Sequence, residues 1–187
     1  MSAPPTTNEA LIRLLDSGKR YKYLYFWGHR PRPDGTLGAS CLSQWWPARF
    51  ELDGVGFPSA EHYMMWSKAR LFGDDDAAGR VLVAKSPAEA KNVGRTVKGY
   101  DDDTWARERF AIVVAASRAK FDSTDELRGF LLGTGDRVLV EASPLDRVWG
   151  IGLAADDEAV QDPRRWRGLN LLGYALMQAR HELGGRA

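Results

Sequence analysis

Glu61 and Lys68 stand seven residues apart in the run Phe57-Pro58-Ser59-Ala60-Glu61-His62-Tyr63-Met64-Met65-Trp66-Ser67-Lys68-Ala69-Arg70. A helix beginning at Ser59 would put both on one face, two turns apart, because the period is 3.6 residues. A carboxyl group can hand a proton to a leaving group or stabilise a developing cation at a sugar carbon. A lysine can attack that carbon as a neutral amine and form a Schiff base when burial lowers its pKa. Asp146 adds a second carboxylate, and Trp105 and Trp149 add flat faces for a ring. Each also has a plain structural use. A Glu in a first helical turn complements the dipole, a Lys can lie along the surface, and an Asp after Pro144 can close a turn. Spacing alone leaves both uses open.

The elements that must position these residues can be read in order. Residues 1–6 carry no folding pattern and are expected to be disordered; Thr7 can cap a short helix bearing Leu11, Ile12, Leu14 and Leu15, closed by Gly18. Tyr21, Tyr23 and Tyr25 then alternate with Lys22, Leu24 and Phe26 as in a strand. Asp53-Gly54 between two β-prone runs signals a hairpin that delivers the chain to Ser59, and Gly73 ends the helix that follows. Asp74 to Asp76 can start another helix, and Ser86-Pro87-Ala88-Glu89 forms a capping box whose helix Gly94 is expected to stop. A longer helix is expected from Asp103 to about Lys120, and Ser123 with Glu126 suggests the next start, with Gly133 its end. Val138 to Glu141 reads as a strand feeding a loop from Ala142 to Gly152. The last helix, about Leu169 to Leu183, should turn Leu169, Leu172, Leu176 and Met177 inward, with Gly173 permitting close approach.

Composition narrows the function classes. A chain of 187 residues with 26 Lys and Arg against 25 Asp and Glu carries a formal charge of +1, unlike a protein that grips duplex DNA by phosphate neutralisation. The single cysteine, Cys41, leaves no disulfide framework or thiolate cluster and suits a reducing cytoplasm. The apolar run Phe110 to Ala116 is too short to cross a bilayer, so a cytoplasmic chain with no membrane partner is expected. His29, His62 and His181 lack metal-ligand spacing, and no Walker loop, dinucleotide fingerprint or G-x-S-x-G elbow occurs; neither a metal nor a cofactor is expected. His62 reads as a helix-surface or partly buried residue. Seven tryptophans remain, enough for a core and a ring-stacking pocket.

The order of several motifs resembles the NADAR, or YbiA-like, family. It runs through Tyr25-Phe26-Trp27-Gly28, Leu42-Ser43-Gln44-Trp45, Ser59-Ala60-Glu61-His62-Tyr63 with Lys68-Ala69, and Ala90-Lys91-Asn92-Val93-Gly94-Arg95. It continues through Trp105, Lys120-Phe121, Leu131-Leu132-Gly133-Thr134-Gly135, Leu139-Val140-Glu141-Ala142-Ser143-Pro144, Asp146, Trp149-Gly150-Ile151-Gly152 and Gly168-Leu169-Asn170-Leu171-Leu172-Gly173. The resemblance covers about residues 21 to 183. It implies a helix-rich α+β single domain with a small antiparallel sheet over residues 21–187, preceded by an N-terminal extension, residues 1–20, with a short helix.

The same resemblance implies cleavage of an N-glycosidic bond between ribose C1 and a base or amine. Members act on ADP-ribose linked to guanine in nucleic acids or nucleotides, or on phosphorylated ribosylamino-pyrimidine intermediates of riboflavin biosynthesis. The first class also implies a possible ADP-ribosyltransferase toxin counterpart. By motif, Glu61, Lys68 and Asp146 fall on catalytic positions, Lys68 as the candidate Schiff-base amine. Trp27, Gln44, Trp45, Lys91, Arg95, Trp105, Trp149, Gly150, Gly152 and Asn170 fall in the motifs expected to hold substrate, Lys91 and Arg95 at phosphate. Ser43-Gln44-Trp45 stands where many members have Ser-Asn-Phe, and both replacements are larger, which bears on pocket depth and substrate preference. A non-catalytic ADP-ribose or nucleotide-binding module is the competing reading.

Overall fold

In the computed structural model, which describes residues 3–185, seven α-helices and four short strands are found among the described residues. The first helix, α1 (Asn8–Asp16), is capped by Thr7, whose side chain accepts the Ala10 N–H. Leu11 is fully buried in the main core, and Asn8 donates to Gly168 O and accepts from the Tyr174 hydroxyl, so α1 is tied to the far end of the chain. Residues 3–6 have no regular secondary structure, but Pro5 is buried; residues 1 and 2, also expected to be disordered, lie outside the described residues.

Strand β1 (Tyr23–Phe26) pairs in parallel with β4 (Val138–Glu141), in the register Tyr23 to Val138 through Phe26 to Glu141. The antiparallel pair is the expected Asp53-Gly54 hairpin, β2 (Phe50–Leu52) with β3 (Val55–Phe57), where Asp53 and Gly54 both take positive φ. A parallel pair needs a long crossover, and here the intervening helices provide it. The helix Leu171–Gly184 packs on β4, where Val138, Leu139 and Val140 are fully buried.

Helix α2 (Ala60–Leu71) enters directly from β3 and is the hub of the fold, packing on α3 (Asp75–Leu82), α4 (Pro87–Arg95) and α5 (Asp102–Asp122). It starts where expected: Ser59 Oγ accepts the His62 N–H. His62 is buried, not at the surface, because both ring nitrogens are engaged, Nδ1 with Ser59 Oγ at 2.7 Å and Nε2 with Ala84 O at 3.2 Å. A carbonyl can only accept, so Nε2 carries the proton and, in the neutral ring, Nδ1 accepts from the serine hydroxyl. Burial also pushes the His62 pKa down, consistent with that neutral ring.

Three boundaries differ from the sequence reading. Gly94 does not stop α4, which continues to Arg95; a Cβ there would collide with Met65 Sδ, so the glycine lets α4 lie close on α2. The cap of α6 (Asp125–Gly133) is Thr124 rather than Ser123, with Thr124 Oγ1 accepting from Leu127 N while Ser123 closes α5. The last helix, α7, runs Leu171–Gly184, which leaves Leu169 before it and 45% exposed. Helix α7 packs along α5 and β4, and a Cβ on Gly173 would collide with Leu139 O, the close approach expected of that residue. No helix of the described residues is long and apolar enough to cross a membrane.

Candidate active site

Helix α2, the second half of α4, the start of α5, the end of β4 with the loop after it, and the loop carrying Ser43 to Trp45 surround one half-open cavity of about 190 Å³. Its lining includes Ser43, Gln44, Trp45, Glu61, Lys68, Lys91, Arg95, Trp105, Glu141, Asp146 and Trp149. Nine of the thirteen candidate residues named from sequence therefore converge there. Trp27, Gly150, Gly152 and Asn170 are outside the lining: Trp27 is 62% exposed, and the other three act on the main chain behind the cavity.

Glu61 reaches the cavity because the Ser59 cap places it in the first turn of α2, where its backbone N–H donates to Gln44 O at 3.1 Å. Only 2% of the residue is exposed, and Oε1 has no partner. Burial pushes its pKa up from 4.5 to about 7; Lys91 pulls against that, as do the Trp45 side chain and Arg95, while Asp146 adds to the rise. The result is a carboxyl group poised to hold or release a proton near neutrality, which is what general acid chemistry needs.

Glu141, which sequence reasoning passed over as the last residue of a strand, lines the same cavity. Desolvation raises its pKa from 4.5 to about 8, with Asp146 and Glu61 adding repulsion and Lys91 opposing it. Asn170 holds it in place: Oδ1 accepts the Glu141 N–H at 3.0 Å and Nδ2 donates to Leu139 O at 3.0 Å. Asn170 is fully buried with φ of 53°, a left-handed position that asparagine tolerates. The sequence signals for Glu141 were an acid at the edge of an otherwise apolar strand and its place in the Leu139-Val140-Glu141-Ala142-Ser143-Pro144 motif.

Lys68 is half-buried. Its Nζ donates to Gly94 O at 2.9 Å and lies 4.0 Å from the Tyr100 ring centre and 5.6 Å from that of Trp105. Desolvation lowers its pKa, and Asp102 opposes the shift. Lys68 thus lines the cavity from the same helix face as Glu61, as the helical period requires. Asp146 lines the cavity and also organises its loop: Oδ1 accepts the N–H groups of Val148 and Trp149, both at 2.8 Å, which sets the approach of Trp149. The glycines belong to the same loop. A Cβ on Gly150 would fall 2.8 Å from Glu141 O, and Gly152 adopts φ of 68°.

Trp45 forms the opposite wall, with Lys91 Nζ 5.7 Å above its ring and His29 packed at 5.5 Å. The loop carrying Gln44 and Trp45 is anchored from beneath by Lys120, whose Nζ donates to Cys41 O at 2.6 Å and Ser43 O at 2.7 Å. Complete burial brings the Lys120 pKa down to about 7. Among the described residues no three His, Cys, Asp or Glu side chains gather to hold a metal ion. The cavity therefore offers a buried acid, an amine, two further carboxylates, two cations and three indole faces, a set suited to a ring-bearing, anionic ribosyl compound.

The NADAR domain family matches residues 25–184 of the chain. N-glycosidase R617 of Acanthamoeba polyphaga mimivirus is 38% identical over 166 residues, spanning 86% of this chain and 96% of that protein. The chloroplastic riboflavin biosynthesis protein PYRR of Zea mays is 36% identical over 142 residues, 71% of this chain but 21% of that longer protein. N-glycosidase YbiA of Escherichia coli K12 is 32% identical over 138 residues, 74% of this chain and 76% of that protein. The NMR structure of E. coli YbiA aligns with a TM-score of 0.70 and 26% identity, covering 90% of this chain and 88% of that one.

Proposed function

The chain belongs to the NADAR domain family, and on that premise we propose that it is an N-glycosidase that hydrolyses the bond between ribose C1 and a base or amine. The observation that carries the proposal is Glu61: a buried carboxyl with a pKa of about 7, in a cavity that also holds Lys68, Asp146 and three tryptophans. Relatives named N-glycosidase over most of their length support the reaction class. Two substrate classes fit the cavity's cations and rings, ADP-ribose on guanine and a phosphorylated ribosylamino-pyrimidine; the likeness to a riboflavin biosynthesis protein favours the second.

In the proposed mechanism the base stacks on Trp149 with Trp45 or Trp105, and Lys91 and Arg95 meet phosphate. Protonated Glu61 gives its proton to the departing nitrogen as the C1–N bond breaks, with Asp146 stabilising positive charge at C1. The neutral Lys68 amine bonds to C1 and returns a proton to Glu61. The resulting glycosylamine opens as Glu61 passes that proton to the ring oxygen and C1 becomes an iminium. Water adds to C1 and gives a proton to Glu61, the hydroxyl proton moves to Nζ as the C1–Nζ bond breaks, and the free sugar leaves with Lys68 and Glu61 restored; one water is consumed overall. The Tyr100 and Trp105 rings favour an ammonium at Lys68, so loss of the proton is the step that desolvation must support.

A chromatographic assay on an ADP-ribosylated guanosine oligonucleotide and on a ribosylamino-pyrimidine phosphate tests the reaction, with free base or amine the expected product from at least one. Borohydride added during turnover should leave a sugar on Lys68, detectable by mass spectrometry. No adduct, together with retained activity in Lys68→Ala, refutes the covalent step; ligand binding without release of base refutes the glycosidase.

A further inference from the structure

Three oxygen atoms of the cavity residues are buried from water and accept no hydrogen bond: Gln44 Oε1, Glu61 Oε1 and Glu141 Oε2. Buried polar atoms are nearly always paired, so three orphans around one cavity mark where a ligand's donors belong. The Gln44 amide could turn its nitrogen inward instead, but a carboxyl group keeps an acceptor oxygen whether or not it is protonated. The two glutamates therefore carry the inference. Lys91 and Arg95 share the cavity without pairing with these oxygens, and no metal cluster exists among the described residues. O–H or N–H groups of an organic ligand are suited to these acceptor oxygens.

We propose that Glu141 is a specificity-determining residue that accepts a hydrogen bond from the vicinal hydroxyls of the substrate's ribose, beside Glu61 at C1. The assignment rests on the N-glycosidase reading for its orientation. If Glu61 serves the nitrogen on C1, the C2 hydroxyl lies one carbon further along the ring, and the C3 hydroxyl beside it. Glu141 lines the same cavity as Glu61 with an unpartnered oxygen, whereas Asp146 spends Oδ1 on the N–H groups of Val148 and Trp149, so Glu141 is the carboxyl free to meet that edge of the sugar. Its position is fixed before any ligand arrives. Its N–H is held by Asn170 Oδ1, its carbonyl accepts from Ile151 N at 2.9 Å, and its strand is paired with β1 through Phe26. An acceptor on so fixed a backbone that lacks a donor strongly discriminates against a ligand without the matching hydroxyl, because the oxygen then stays unpaired.

The test uses the full chain and sugar phosphates that lack a base, so that base N–H groups cannot supply the donors. Calorimetric affinities are compared for ribose 5-phosphate, 2-deoxyribose 5-phosphate, 3-deoxyribose 5-phosphate and inorganic phosphate. The wild type should bind each deoxy compound at least about tenfold more weakly than ribose 5-phosphate, the loss expected when a buried acceptor is left without its partner. Glu141→Leu should bind all three sugars within about threefold of one another while keeping its affinity for phosphate. Glu141→Gln, which retains an acceptor oxygen, should recover part of the discrimination. Should the leucine variant lose its melting transition, Glu141→Ala takes its place in the same comparison.

A wild type that binds the three sugars equally, or ribose 5-phosphate no better than phosphate, overturns the proposal. So does tenfold discrimination that survives in Glu141→Leu or Glu141→Ala. The two readings fail differently. Cleavage without hydroxyl discrimination sinks the role of Glu141 alone; discrimination without any release of base sinks the glycosidase and leaves a ribose-binding site.

Discussion

Replacing Glu61 with Gln should stabilise the folded chain above neutral pH while removing its proton donor. The wild-type carboxyl rises from 4.5 to about 7 on folding, chiefly through burial. The folded state therefore holds this proton more tightly than the unfolded chain. The stability it confers is complete below about pH 4.5 and is lost as pH climbs to about 7, after which the loss levels off. At about 1.4 kcal/mol per pH unit, the loss comes to about 3 kcal/mol at pH 8. A glutamine of the same shape does not ionise and escapes it. For a chain of this size each kcal/mol moves the midpoint by ~2–4 °C, so the variant should gain ~6–12 °C over wild type at pH 8. The assay is thermal unfolding of both proteins from pH 4 to pH 9. Any cost of fitting the amide is common to every pH, so the slope of the difference carries the test. A difference that stays flat between pH 4.5 and 7, or that shrinks as pH rises, refutes a buried carboxyl with a raised pKa at this position.

Turnover should depend on the same proton, falling tenfold per pH unit above about 7 as Glu61 ionises, with the limb absent in Glu61→Gln; a pH–rate profile of kcat/KM checks this. Gly173→Ala should destabilise by roughly 2–4 kcal/mol and lower activity, because its methyl meets Leu139 O and crowds the Asn170 amide that holds Glu141. Gly94→Ala should cost less, roughly 1–2 kcal/mol, since the flexible Met65 thioether can swing aside; urea unfolding ranks the pair. Ser59→Ala should cost about 1–2 kcal/mol by removing the cap of α2 and the partner of His62 Nδ1, measured by the same unfolding series.

Local chemistry made much of the fold legible from the residues. Thr7, Ser59, Asp74 and Ser86 cap the helices they were expected to cap, because each needs only a side-chain oxygen within three residues of its partner. The Asp53-Gly54 hairpin and the shared face of Glu61 and Lys68 follow from equally short-range rules. Pairing between distant segments was not legible. Alternation in Tyr21 to Phe26 identifies a strand but cannot say that Val138 to Glu141 lies parallel beside it. That pairing, with Asn170 behind it, is what brings Glu141 to the cavity, so its role was hidden for the same reason. Gly94 misled because a glycine that ends a helix and one that admits a neighbouring helix look alike until Met65 is in place. The exposed Trp27 and the buried Asn170 show the reverse: a motif marks a neighbourhood, and only packing decides which of its members touch the cavity.

The most direct test of the account is the rate at which Glu61→Gln releases free base or amine, compared with wild type, on both candidate substrates at pH 6.5. Loss of general acid catalysis predicts product from the wild type on at least one substrate and a rate lower by roughly 10²–10⁴ in the folded variant. A variant that cleaves within tenfold of wild type, or a wild type that releases nothing from either substrate, contradicts it.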